Sequence, residues 1–85
     1  MRRLLKIGIV GCGAIGSSLA KEVVFNLSSS ACLVAIFDIR PEKAQLLSRQ
    51  LTKSTKLCVN NLDILIKQSD LVIEASSAGA SWEIA

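Results

Sequence analysis

The sequence predicts an α/β fold, a parallel β-sheet with helices on both faces, and three observations predict it. Apolar runs rich in branched residues recur at positions 4–10, 32–39 and 71–75. Segments with helical periodicity lie between them. A glycine cluster, GCGAIG from Gly11 to Gly16, ends the first run and opens the first periodic segment. Apolar strands alternating with helices form parallel sheets, because right-handed crossovers place the helices on the sheet's faces. At 85 residues the chain is one unit at most, and a unit this short buries only about 60% of its unfolded surface.

The first strand, residues 4–10, stops at Gly11, where a buried strand gives way to a turn. From Ala14 onward Ile15, Leu19, Val23 and Leu27 recur every four residues, with Ala20 and Val24 beside them. This spacing predicts an amphipathic helix that ends in the polar run 28–30. The second strand, residues 32–39, carries a single charge, Asp38, at its carboxyl end. Pro41 suits the first turn of a second helix, Glu42 follows at the positive end of its dipole, and Ala44, Leu47 and Leu51 form the inward stripe to about Lys53. Residues 56–59 predict a short third strand, Asn60 or Asn61 a cap for a helix bearing Leu62, Leu65 and Ile66, and residues 71–75 a fourth strand. The closing GASWEIA reads as the opening of another helix, with Trp82 packing from it. With the fourth strand last, its outer edge would be open, which predicts self-association through that edge.

Composition narrows the function classes. The chain is 51% hydrophobic and 20% charged, which is globular. Its net charge of +3 is spread along the sequence apart from Arg2, Arg3 and Lys6, and with Phe25, Phe37 and Trp82 as its only aromatics it lacks the stacking platform and basic stripe of a nucleic-acid binder. Cys12, Cys32 and Cys58 are odd in number and there is no histidine, so neither a disulfide framework nor a metal site is expected, and reduced thiols point to the cytoplasm. Lys6 interrupts the apolar amino-terminal stretch, and no run reaches the roughly 20 residues of a membrane helix.

The glycine cluster carries the chemistry. Gly11 permits a tight turn off the strand, Gly13 lets backbone approach a pyrophosphate, and Gly16 lets helix and strand pack closely. Amides near Ala14 and Ile15, in the first helical turn, have no intrahelical acceptor and suit an anion. Asp38 follows Gly16 by 22 residues, at the end of the next strand, close to the spacing of about 20 at which an acid reads the adenosine ribose. The fold is therefore of Rossmann type, with about four strands, and the ligand a dinucleotide. Asp38 favours NAD, whereas Arg40 could grip a 2′-phosphate and admit NADP. Cys12, between the glycines, reads as a small structural filler, and Glu74 as a hydrogen-bonding strand end. Ser76 and Ser77 end the fourth strand, where such sheets open their ligand crevice.

Three stretches, IGIVGCGAIGSSLA, VAIFDIRPEKAQLL and DLVIEASSAGA, resemble the amino-terminal part of the L-aspartate dehydrogenase family. The resemblance implies that Gly11, Gly13, Ala14, Ile15 and Gly16 hold the pyrophosphate, that Asp38 holds the ribose, and that Ala75, Ser76 and Ser77 lie near the nicotinamide half. With Cys12, Ile39 and Arg40 flanking these positions, they make up the expected cofactor site. Members of that family oxidise aspartate to iminoaspartate with NAD or NADP, using a histidine of a second domain. Residues 1–85 would then be an incomplete dinucleotide-binding domain with no catalytic residue of their own. The alternatives are a non-catalytic nucleotide-sensing module and the cofactor-binding part of another two-domain dehydrogenase, of the sugar oxidoreductase or dihydrodipicolinate reductase type.

Overall fold

A computed structural model describes residues 3–75 and the backbone of 81–84. Its elements run β1 (Leu5–Val10), α1 (Ala14–Asn26), β2 (Ala31–Phe37), α2 (Pro41–Thr52), α3 (Leu62–Gln68), β3 (Leu71–Glu74) and β4 (Ser81–Ile84). The sheet order is β2-β1-β3-β4. β1 lies parallel to β2 and to β3, and its residues 7–10, flanked by a strand on each side, are all buried.

Helices cover both faces. Ile7 and Ile9 of β1 join Leu71 and Ile73 of β3 under α1 and α2, which contribute Ala20, Val23, Ala44 and Leu47. Val10 and Val72, on the opposite face, meet Leu65 of α3. Gly8 belongs to this second face. A Cβ there would collide with the Ser69 hydroxyl and sit 2.7 Å from Leu65 Cδ2, so the glycine lets α3 lie close against β1. In β2 the pairing with β1 slips between Ile7 and Gly8, whose partners are Leu33 and Ala35. Val34 is the extra residue, and this irregularity turns both Val34 and Ala35 toward α3 while Ile36 returns to the α1 side.

Four expectations are corrected. Residues 56–59 do not form a strand: a single parallel bridge joins Ile36 to Cys58, because the Cys58 amide turns back to Thr55 and the Leu57 amide donates to Ser48 Oγ. Residues 81–84 form a strand rather than a helix, antiparallel to β3, with Trp82 in register with Ile73. The outer edge of β3 is therefore covered by β4, so the sheet's edge on that side is β4 and not the strand at 71–75 on which self-association was predicted. The fourth correction concerns α1, whose buried residues are Gly16, Ala20 and Val23, while Ile15 and Leu27 of the expected stripe are exposed. Small residues on the inward face allow a closer approach than the branched stripe would.

The remaining elements follow local chemistry. Pro41 opens α2, with Glu42 in its first turn and Arg49 in its last, and Lys53 closes it in the left-handed conformation at φ 63°. Asn61 caps α3 by accepting the Ile64 amide at 3.0 Å. Of the expected α3 stripe only Leu65 is buried; Leu62 and Ile66 are exposed. Among the described residues no helix is long and apolar enough to cross a membrane.

Candidate functional site

The carboxyl ends of β1, β2 and β3 converge where the chain order reverses, with β2 on one side of β1 and β3 on the other. Ligands of doubly wound sheets bind at such a switch point. The Gly11 amide donates to the Phe37 carbonyl at 2.8 Å and the Ala75 amide to the Val10 carbonyl at 2.7 Å, so the three strand ends are tied together just before they diverge.

The three glycines have three different reasons. Gly11 adopts φ 97°, a left-handed conformation that costs other residues energy. A Cβ on Gly16 would overlap the carbonyl oxygen of Gly11 and lie 2.8 Å from its carbon, so α1 can start where it does only with glycine there. Gly13 has an ordinary φ of −78°, and a Cβ on it would meet nothing within 4 Å. Neither backbone strain nor packing within the described chain requires this glycine. It faces open space beside the start of α1, which no side chain caps and whose first turn has no acidic residue. The amides of Ala14, Ile15 and Gly16 have no acceptor inside the helix, and the positive end of the dipole adds to their attraction for an anion.

Asp38 locks this loop. Its Oδ2 accepts the Cys12 amide at 2.7 Å and its Oδ1 accepts the Arg40 amide at 2.8 Å. An ionised carboxylate offers about four lone-pair sites, so after these two bonds it retains one acceptor position on each oxygen, the number that a ribose diol requires. Charge-assisted bonds of this kind are roughly twice as strong as neutral ones. The Cys12 carbonyl accepts Ser17 Oγ at 3.1 Å, and the Ser17 amide returns to the Gly13 carbonyl at 2.8 Å. The loop is thus held in shape with its unpaired amides facing outward.

Cys12 contributes through its backbone. Its side chain is buried, with the thiol directed at the Phe37 carbonyl 3.7 Å away. Burial first, and the Asp38 carboxylate second, push its pKa up to about 12, so the thiol stays protonated and unreactive at neutral pH. Ile39 is 87% exposed beside Asp38, an apolar surface on which a base can lie. Arg40 supplies the backbone N-cap of α2 and extends an exposed side chain. Ala75 is buried at the end of β3, its Cβ 3.7 Å from the position a Gly16 Cβ would take. The structure therefore brings together positions 11–16, 38–40 and 75, whereas Ser76 and Ser77 lie outside the described residues.

Comparison with known proteins agrees with this geometry. The chain is 43% identical to the L-aspartate dehydrogenase of Methanocaldococcus jannaschii over 83 residues, 96% of this chain. The resemblance is to the L-aspartate dehydrogenases. The enzyme of that name from Methanosarcina acetivorans is 39% identical over 77 residues, and that from Methanococcus maripaludis 34% identical over 77. The chain spans 28–30% of the length of these aspartate dehydrogenases. No family model matches it. Among solved structures, UDP-N-acetylglucosamine 3-dehydrogenase GnnA from Acidithiobacillus ferrooxidans superposes with a TM-score of 0.71 at 20% identity, over 87% of this chain and 21% of that one, which shows a shared Rossmann-like fold.

Two features escaped the sequence reading. Gly8, inside a strand, signals a close backbone approach that the α3 contact explains. The Asp38–Cys12 bond joins positions 26 apart and has no local signature.

Proposed function

We propose that these residues are the dinucleotide-binding portion of an NAD(P)-dependent oxidoreductase of the aspartate dehydrogenase type. The observation that carries this reading is Gly13: a glycine that nothing in the described chain requires, at the mouth of an uncapped helix, in a loop locked by Asp38. A pyrophosphate at that mouth would receive the first-turn amides of α1 and approach the bare Cα of Gly13. Two ribose hydroxyls would donate to the remaining lone pairs of Asp38, and the adenine would lie on Ile39.

When bound, the dinucleotide supplies a hydride acceptor, and the residues here hold and orient it. The chain has no histidine, and it spans about 30% of the length of its Methanocaldococcus relative. Groups that take the substrate proton and hold the two carboxylates of aspartate would then belong to residues outside this sequence. Three free cysteines agree with a reducing, cytoplasmic setting.

Titration with NADH, followed by the fluorescence of the reduced nicotinamide, tests the reading. Saturable binding is expected, and Asp38→Ala should weaken it about tenfold or more, since both the ribose contact and the loop lock are lost. An unchanged affinity in that variant, or no binding by the parent, would overturn the proposal.

A further inference from the structure

The charges of this chain are scattered in sequence, and the fold sorts them. β1, β2 and β3 run parallel and the helices return between them, so the molecule has a carboxyl edge, where the glycine loop lies, and an amino edge at the other end of the strands. Among the described residues Asp38, Glu42, Asp63 and Glu74 outnumber Arg40 and Lys43 at the carboxyl edge. The amino edge is the reverse. It carries Arg3 just before β1, Lys6 as the second residue of β1, Arg49 and Lys53 at the end of α2, and Lys67 in the last turn of α3, all exposed. The carboxylate among them, Asp70, already accepts the Lys6 amide at 3.0 Å and pairs with Arg3 at 3.7 Å. Glu22, a turn before the end of α1, accepts Asn26 Nδ2 and is matched by Lys21 beside it.

Helix electrostatics explains part of this pattern, since cations in a last turn complement the negative end of the dipole. It does not explain the rest. Arg3 and Lys6 lie on no helix, and large apolar side chains are exposed at the same edge: Leu5 at 42%, Phe25 at 64%, Leu27 at 41% and Ile66 at 46%. A dipole asks for no apolar companion. A dinucleotide at the glycine loop does not use these cations either. The six residues of β1, at about 3.3 Å each, hold the two edges about 20 Å apart, more than twice the screening length of about 8 Å at physiological salt.

The spread of the patch limits its partner. α1 and α2 pack on one face of the sheet and α3 on the other, so Phe25 and Lys53 belong to helix ends on one side of β1, and Ile66 and Lys67 to a helix end on the opposite side. A partner that meets all of them must be broad, anionic and apolar just beneath its surface. A bilayer of anionic lipid has these properties: headgroups that attract clustered Lys and Arg, and an acyl boundary a short way below for Phe25 and Leu27. Nucleic acid would satisfy the cations through its phosphates and leave the apolar side chains unanswered. We propose that the amino edge is a peripheral membrane-contact surface, which docks the chain end-on to anionic lipid and leaves the glycine loop at the carboxyl edge facing solution. None of the residues assigned to the dinucleotide takes part.

Co-sedimentation of the 85-residue chain with vesicles of phosphatidylcholine alone, and of phosphatidylcholine and phosphatidylserine in equal parts, tests the surface. The chain should bind the mixed vesicles in preference to the neutral ones, with an affinity that falls as salt rises. Lys53→Ala combined with Lys67→Ala should weaken that binding about tenfold. Phe25→Ser combined with Leu27→Ser should weaken it about tenfold too, with the salt dependence kept. Lys21→Ala combined with Lys43→Ala removes the same charge away from this edge and should change it by about twofold at most. Circular dichroism melts confirm that each variant is folded. Equal binding to both vesicle types, or equal losses in the two lysine pairs, would overturn the proposal. So would binding of a duplex oligonucleotide or of polyglutamate that matches the mixed vesicles and survives the Phe25 and Leu27 changes, which would make the edge a site for polyanions in general.

Discussion

Two polar regions of this molecule look alike in composition and differ in whether their needs are met. At the carboxyl end of α2, Ser48 Oγ donates to the Ser54 carbonyl and accepts the Leu57 amide, while Thr52 Oγ1 donates to the Ser48 carbonyl and accepts the Ser54 amide. Each side-chain hydroxyl there is answered by backbone a few residues away. At the start of α1 the loop is held just as firmly, by Asp38 and Ser17, yet its first-turn amides and the open face of Gly13 have no partner within the helix. Satisfied polar clusters stabilise a turn, whereas a rigid cluster with outward, unmet donors is prepared for a ligand. The second region is the one on which the proposed function rests.

The comparison can be broken in stages. The largest effect is expected from Gly16→Val, which forces a side chain into the Gly11 carbonyl; urea unfolding should show a loss of about 3 kcal/mol or more. Gly13→Val comes next and should act on the ligand alone, reducing NADH affinity about a hundredfold with a midpoint in urea close to that of the parent. A comparable loss of stability in both variants would erase the distinction between packing glycine and ligand glycine. Ser48→Ala should do the reverse, costing about 1–3 kcal/mol because the Leu57 amide loses its acceptor, with NADH affinity intact; weakened binding there would mean that the two regions are coupled.

The smallest effect concerns Cys12 and sharpens the contrast through pH. Its folded pKa of about 12 lies above its ordinary value of 9.0, so the folded state holds the proton more tightly. The stability gained from the neutral buried thiol is complete below pH 9.0 and declines as pH rises toward about 12. A Cys12→Ala variant should lack that part of the alkaline decline. Alkylation at pH 8 should reach the partly exposed Cys32 well before Cys12; preferential labelling of Cys12 would contradict a buried, protonated thiol.

Much of the fold was legible because its signals are local. Gly11 to Gly16 announced a strand-to-helix turn, Pro41 and Glu42 the start of α2, and Asn61 a cap, each through chemistry confined to one turn of chain. The misreadings share a cause. Ile15 and Leu27 had the right period, but the contact of Gly16 with Gly11 rotates α1 so that Gly16, Ala20 and Val23 face the sheet. Residues 56–59 had the composition of a strand, and competing bonds to Ser48 and Thr55 left them a single bridge. The segment 81–84 was too short to show a period, and pairing with β3 made it a strand.

By itself the sequence determined β1, α1, β2, α2, α3 and β3 and the glycine turn between β1 and α1, since each depends on residues within a few positions of one another. Only the tertiary structure decided that Asp38 clasps Cys12 and that β4 seals the edge of β3. These are contacts between distant positions, and their energy exists only once packing has paid the entropy of bringing the segments together.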